Sequence, residues 1–440
     1  MGFFEFAVSA VILIVIASLW LRRRQPSALL FGALALYAVA GCLKQRELSI
    51  EYGTEAYARS GEIFLAGTLF LVLCMDLARR AFAINRSESS GLIWNQANYL
   101  RHSKNGLVLA VLGVFLFVLD RPDLSVSWNA ARLTNSQLSV LASLFLLIAM
   151  PACISVLRTG RTILILSLFT TCSVAFVFSG SRALVLSGFL LAAWMLIHRV
   201  RNPLAQIATV ALVVPIAFAV HDLLRFFRSL GPDGIAVALH NGSLISQISG
   251  SVLSTDNSGG EIAISRYFVY STTVSSDHEF GVLTSLRRLL TLLVPRIPGI
   301  IDKPTDVTYR LWDHALIAGM FDNIDGSTFM HNAYQEGVGG SLHPTLFGEM
   351  FLTGGWWSLF VSVGLLSVIV TGIDRYLMTA APIMGLMLIG PTLAGYVFVA
   401  RGNSVVGIGY FVYLFVLLHA LSFGTRALRR SKRSRKLVVT

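Results

Sequence analysis

Long apolar runs recur from one end of this chain to the other, many of them long enough to cross a hydrocarbon layer of ~30 Å as a helix. They lie at Phe3–Leu21, Ser27–Leu43, Ile63–Ala78, Leu107–Leu119, Leu138–Leu157, Thr162–Phe178, Ala183–Ile197, Leu204–Val220, Met350–Val370, Met378–Ala400 and Val405–Phe423. Inside such a layer no water satisfies the peptide groups, so only helices or closed barrels span it. These runs are too long and too continuous for barrel strands. The expected class is therefore an all-α polytopic integral membrane protein with about 11 transmembrane helices. Composition agrees: of 440 residues 55% are hydrophobic and only 13% are charged, with mean hydropathy +0.70, against about 25% charged in a soluble domain.

Basic residues in short loops set orientation. Arg22, Arg23 and Arg24 follow the first run, Arg79, Arg80, Arg86, Arg101 and Lys104 the third, and Arg158, Arg161, Arg199 and Arg201 mark two further turns. The tail holds Arg426, Arg429, Arg430, Lys432, Arg433, Arg435 and Lys436 with no acid among them. Every second loop and the tail are thus expected on the cytoplasmic side, and an odd number of spans leaves the N-terminus outside. The start MGFFEFAVSA has no basic n-region, so it reads as a reversed anchor and not a cleaved signal peptide. The net charge of +12 is explained by topology and anionic head groups, and no nucleic acid is expected as a partner. Cys42, Cys74, Cys153 and Cys172 all fall inside apolar runs, which predicts no exported disulfide and no zinc site. Neither a P-loop nor a dinucleotide fingerprint is present, and no cofactor is expected.

The runs divide the chain unevenly: an N-terminal bundle of about eight spans over 1–220, a large extracytoplasmic loop over 221–349, C-terminal helices over 350–423 and a basic cytoplasmic tail over 424–440. Function is expected in the loop. It carries His221, His240, His278, His314, His331 and His343, six of nine histidines, and Arg225, Arg228, Arg266, Arg287, Arg288, Arg296, Lys303 and Arg310. An outside loop has no topological need of these cations. HDLLRFFRSL continues the eighth run as an amphipathic turn and VLTSLRRLLTLLVP is apolar but too short to cross; both read as interfacial or re-entrant helices. GSLISQISGSVLSTDNSGG between them is rich in Ser and Gly and reads as a flexible linker or lid.

Each candidate has a functional and a plain reading. Arg182 in SGSRALVLS either holds an anion in a polar cavity or snorkels to the lipid surface. Arg266 in AISRYFVYS either binds an anion or packs on Tyr267 or Tyr270. Arg296, Lys303 and Arg310 in VPRIPGIIDKPTDVTYR sit among prolines that stiffen the backbone, as a phosphate cradle would require; solvated surface charge is the rival reading. Glu349, two positions before the apolar Phe351, is a carboxylate at a hydrocarbon boundary, where desolvation favours either a raised pKa or a nearby cation. His331 and His343 are further proton acceptors, or helix-end hydrogen-bonding groups. Asp322 and Asp325 lack the spacing of a cation loop.

Cations to grip a diphosphate and groups to take a hydroxyl proton, on a loop facing away from the cytoplasm, suggest sugar transfer from a lipid diphosphate. SGSRALVLS, VPRIPGIIDKP, HNAYQEG and HPTLFGEMFLTGGW, in this order over Ser179–Trp357, resemble the O-antigen and exopolysaccharide repeat-unit polymerases of the Wzy type. The resemblance implies an inner-membrane glycosyltransferase that moves a growing glycan on undecaprenyl diphosphate onto another lipid-linked repeat unit. It implies no nucleotide sugar, no metal, and a chain-length regulator and a flippase as partners. Carried onto this chain, Arg182, Arg266, Arg296, Lys303 and Arg310 would bind the diphosphate, and Glu349, His331 or His343 would be the general base. The related O-antigen ligases, the second reading, share a histidine followed by asparagine, but HNAYQEGVGGSL departs from their glycine spacing. A lipid-glycan flippase or other transporter is third, because its ionisable residues belong near the bilayer midplane, whereas Asp76 and His419 lie near the cytoplasmic ends of their runs.

A reporter active only outside the cytoplasm is expected to work when fused near Asn323 and to fail near Gly160 or after Lys436. The reverse pattern would put the loop inside the cell and remove the lipid-diphosphate reading.

Overall fold

The computed structural model describes residues 2–82, 234–246, 264–274, 307–317, 343–379 and 382–437, with parts of 108–119 and isolated positions between. The expected spans Leu138–Leu157, Thr162–Phe178, Ala183–Ile197 and Leu204–Val220 lie outside this set apart from those isolated positions, as do most of the two interfacial segments and the linker. Among the described residues all regular structure is helical: α1 (Gly2–Arg22), α2 (Ala28–Leu43), α3 (Gln45–Tyr52), α4 (Thr54–Ala81), α5 (Ile264–Val274), α6 (Val307–Ile317), α7 (Thr345–Leu352), α8 (Gly355–Thr379), α9 (Pro382–Ala400) and α10 (Ser404–Leu437). Three of them, α1, α4 and α8, are long and apolar enough to cross a membrane, and α2 with α3, bent by 71°, makes a fourth if that pair is one span. The chain is a helical membrane protein.

Helix bounds follow hydropathy where charge stops it, and depart from it where the backbone decides. α1 ends at Arg22, one residue past its apolar run. α4 starts nine residues before Ile63, because Glu55, Arg59 and Glu62 are good helix formers that hydropathy cannot see. The run Met350–Val370 is two helices. α7 closes at Thr353, Gly355 takes φ +65°, a conformation that costs glycine little, and α8 then continues past the run to Thr379.

Contacts fix the directions. Phe6 stacks near Tyr57 and Phe64, while Trp20 lies under the Arg79 guanidinium at 4.8 Å; both contact sites advance together, so α1 and α4 run parallel. Phe70 meets Phe360 at 4.9 Å and Phe82 meets Arg375 at 5.8 Å, so α8 is parallel to them too. α2 returns antiparallel to α1, with Trp20 on Phe31 and Gly41 facing Phe6. Lipid removes the hydrophobic drive between helices, and close approach through small residues replaces it. At Gly61 a Cβ would lie 2.7 Å from the Gly2 carbonyl, and at Gly67 it would lie 2.5 Å from the Phe347 ring, so the present close approach of α1 to α4 and of α7 to α4 depends on these positions being bare. Away from those contacts, apolar side chains are exposed in helical stripes: Leu69, Leu73 and Leu77 on α4, and Trp357, Val361, Leu365 and Val368 on α8.

Each end of the bundle has its own polar closure. At the end carrying Arg22 and Arg79, Asp374 of α8 is 1% exposed. It accepts from the Ser27 backbone N–H at 3.3 Å, from the Ser27 hydroxyl, and from the Tyr396 hydroxyl at 2.8 Å. With its amide assigned so that the oxygen faces Arg79, Gln25 accepts from Arg79 Nε at 3.0 Å. One carboxylate thus ties the α1–α2 turn, α8 and α9 together. The opposite end is capped by α3, α5, α6 and α7, with Phe268 and Phe347 both edge-on to Phe64 of α4.

Candidate functional site

The capped end is organised around α7. Thr345 opens this helix at φ +63°, a left-handed conformation that strains a β-branched residue. Two hydrogen bonds and one close packing contact hold it there. The Thr345 N–H donates to the Arg401 carbonyl at 3.1 Å. Gly402, at φ +93°, lies so close to the Thr345 backbone that a Cβ would fall 2.5 Å from its carbonyl oxygen. One turn later, Glu349 Oε2 accepts the Ser404 N–H at 2.9 Å. The first N–H groups of a helix have no partner within it, so the carboxylate serves as a cap, supplied from another helix, for α10. Glu349 is 6% exposed, and His343 is half-buried two residues ahead of Thr345.

Across the top of α7 lies α5: a Cβ on Gly348 would meet the Ser271 hydroxyl at 2.7 Å and the Phe268 ring at 2.8 Å. α6 packs beside it, with Leu311, Trp312 and Ala315 buried against Tyr267, Tyr270 and Leu352. The Tyr270 hydroxyl and His314 Nδ1 are 2.8 Å apart. Arg266 on α5 grips a single oxygen of Glu51, from Nε at 2.6 Å and Nη2 at 2.5 Å. Burial alone would lower the Arg266 pKa; the Glu51 carboxylate and the Tyr52 phenol outweigh it and the net shift is upward, so the guanidinium stays charged. Both partners of that pair keep part of their surface in solvent, where an ion pair is worth at most ~1 kcal/mol.

Of the residues named from sequence, His343 lies on the approach to α7 and Glu349 within it. Arg266 lies on the neighbouring helix, engaged by Glu51. Arg310 lies one turn before His314 on α6 and is half-buried. His331, Arg182, Arg296 and Lys303 lie outside the described residues. Sequence reading missed Arg401, Asn403 and Glu51 at this end and Asp374 at the other. Arg401 did carry a signal: it is a lone cation between two apolar runs, in a turn joined to α7 and hence on the loop side. Among the described residues no cluster of three or more His, Cys, Asp or Glu has the arrangement of a metal site. Comparison with known proteins finds no match to any family model, curated protein or solved structure.

Gly402→Ala is expected to destabilise the protein by about 1–3 kcal/mol, because the new methyl meets backbone that cannot yield and the φ is unfavourable for alanine. Thermal unfolding in detergent measures it. An unchanged midpoint would show that the turn is not pressed on α7.

Proposed function

We propose that this chain polymerises undecaprenyl-diphosphate-linked oligosaccharide repeat units into O-antigen or exopolysaccharide on the outer face of the cytoplasmic membrane. What supports the reading is one juxtaposition: Glu349 and His343, both proton acceptors, lie with a cationic turn at one end of a bundle of apolar helices. A prenyl tail cannot leave the bilayer, so chemistry on its diphosphate belongs at that depth. In this reading about eleven spans place the capped end outside and the basic end in the cytoplasm.

The reaction needs an acceptor hydroxyl oxygen to attack the anomeric carbon while the bond from that carbon to the diphosphate oxygen breaks. The hydroxyl proton passes to a base, Glu349, His331 or His343, worth typically 10²–10⁴-fold. Negative charge growing on the departing diphosphate is met by Arg182, Arg266, Arg296, Lys303 and Arg310, where forked guanidinium contacts gain as charge develops. No nucleotide sugar or metal enters this scheme. The ligase alternative shares the chemistry and differs in its acceptor. Asp374 is the one observation that favours a transporter, as a carboxylate buried between apolar helices. Its oxygens are taken up by Ser27 and Tyr396, however, and that arrangement suits a tie between helices better than a carrier of protons.

Glu349→Gln separates chemistry from architecture, because the amide oxygen still accepts the Ser404 N–H while the group no longer takes up a proton. The variant is expected to insert, unfold at the wild-type temperature and retain lipid-linked substrate, while polymer falls by about two orders of magnitude. Normal polymer from this variant would make Glu349 a cap only and pass the role of base to His331 or His343.

A further inference from the structure

Where α3 meets α5, a cation holds an anion and a third polar group beside them is left over. Arg266 directs Nε and Nη2 onto one oxygen of Glu51, at 2.6 and 2.5 Å. The grip is end-on, so the forked edge that a guanidinium offers to two oxygens at once receives only one. Tyr52, the last residue of α3, lies beside both members of the pair. Its hydroxyl is out of solvent and completes no hydrogen bond among the described residues, although buried polar groups are as a rule matched. Packing does not call for that oxygen: the Tyr52 ring meets the Tyr270 ring at 6.3 Å, and phenylalanine would pack in the same way.

Glu51 shows that an anion fits against Arg266, and it is weakly held there. Its side chain keeps 31% and that of Arg266 22% of its surface in solvent, so exchanging this carboxylate for another anion costs little. α3 itself is anchored by the buried Leu48, and the exchange needs only a rotation of the Glu51 side chain. One carboxylate oxygen satisfies Arg266 and leaves Tyr52 unmatched. A phosphate carries several oxygens on one centre and can take the guanidinium fork with two of them and the phenol with another. We infer that Arg266 and Tyr52 form a site for a phosphate of a membrane-anchored diphosphate, which Glu51 occupies in this structure and yields when the diphosphate enters. The inference rests on the proposed function for the source of that phosphate and deepens it. Tyr52 becomes a ligand, and Glu51 a built-in competitor that sets how strongly an anion must bind to enter.

Direct binding tests this without requiring turnover. The full chain in phosphatidylcholine nanodiscs is titrated with a polyprenyl diphosphate and, separately, with inorganic diphosphate. Glu51→Gln removes the competing charge and is expected to tighten the polyprenyl diphosphate about fivefold, the equivalent of ~1 kcal/mol. In an Arg266→Gln background the same change should gain nothing, because Glu51 acts on the ligand only through Arg266. Tyr52→Phe should weaken the probe by roughly three- to tenfold. Its thermal midpoint should nevertheless stay at or above that of the wild type, since the hydroxyl removed is an unmatched one. Inorganic diphosphate should show the same dependence on the three residues at far lower affinity. Unchanged or weaker binding in Glu51→Gln overturns the inference and leaves the proposed function standing. A gain that persists without Arg266, which is a general effect of charge, overturns it too, as does wild-type affinity in Tyr52→Phe. Inorganic diphosphate held as tightly as the polyprenyl form overturns the membrane-anchored ligand. A wild-type chain that does not hold the polyprenyl diphosphate removes the proposed function together with the inference.

Discussion

The hydrogen bond from the Ser404 N–H to Glu349 fixes the capped end of this protein. α7 is only eight residues long, too short to hold itself in place by propensity, and its first residue is strained. Its position is set by what it touches: the α9–α10 turn through Glu349, Thr345 and Gly402, α5 through Gly348, and α4 through Phe347 in the space that Gly67 leaves open. Loss of the cap would leave a buried carboxylate without this partner and the N-terminus of α10 without an acceptor. Position and the proposed chemistry are therefore linked, because the group that anchors the helix is also one of the three candidate bases of the proposed reaction.

Asp374 does the corresponding work at the opposite end, where Ser27 and Tyr396 surround it. Both carboxylates join segments far apart in the chain, and both lie where apolar helices end. A carboxylate buried at such a place must be matched by donors. The match at Asp374 is made by side chains and one backbone group, whereas Glu349 takes a backbone N–H from the turn that carries Arg401. That contrast is the physical reason to read one end as a tie and the other as a site.

Helices were legible in the sequence wherever hydropathy and charge agree, as in α1, which stops at Arg22, and α2, which stops at Lys44. The sequence was less informative where a polar segment prolongs an apolar helix. The first turns of α4 escape a hydropathy reading because Glu55 and Arg59 form helix as readily as leucine does, and Asp374 escaped because the apolar run ends at Val370 while α8 does not. The break before Gly355 is a backbone event inside a continuous apolar run, which no hydropathy pattern marks. At the site, Glu349 and His343 stood out by type and by nearness to a membrane boundary. Arg401 and Glu51 are just as polar, but one sits in a short turn and the other near the end of a short helix, and their partners are distant in the chain, Thr345 for Arg401 and Arg266 for Glu51, so that the pairing exists only in the folded protein.

In the proposed reaction a glycan passes from one lipid-linked repeat unit to another. The most direct test supplies the purified protein, in bilayers, with a single synthetic undecaprenyl-diphosphate repeat unit and no nucleotide sugar, and resolves the products by size. A ladder rising by one repeat unit per step is the predicted result. Unchanged substrate, or its movement across the bilayer without any new glycosidic bond, would contradict it.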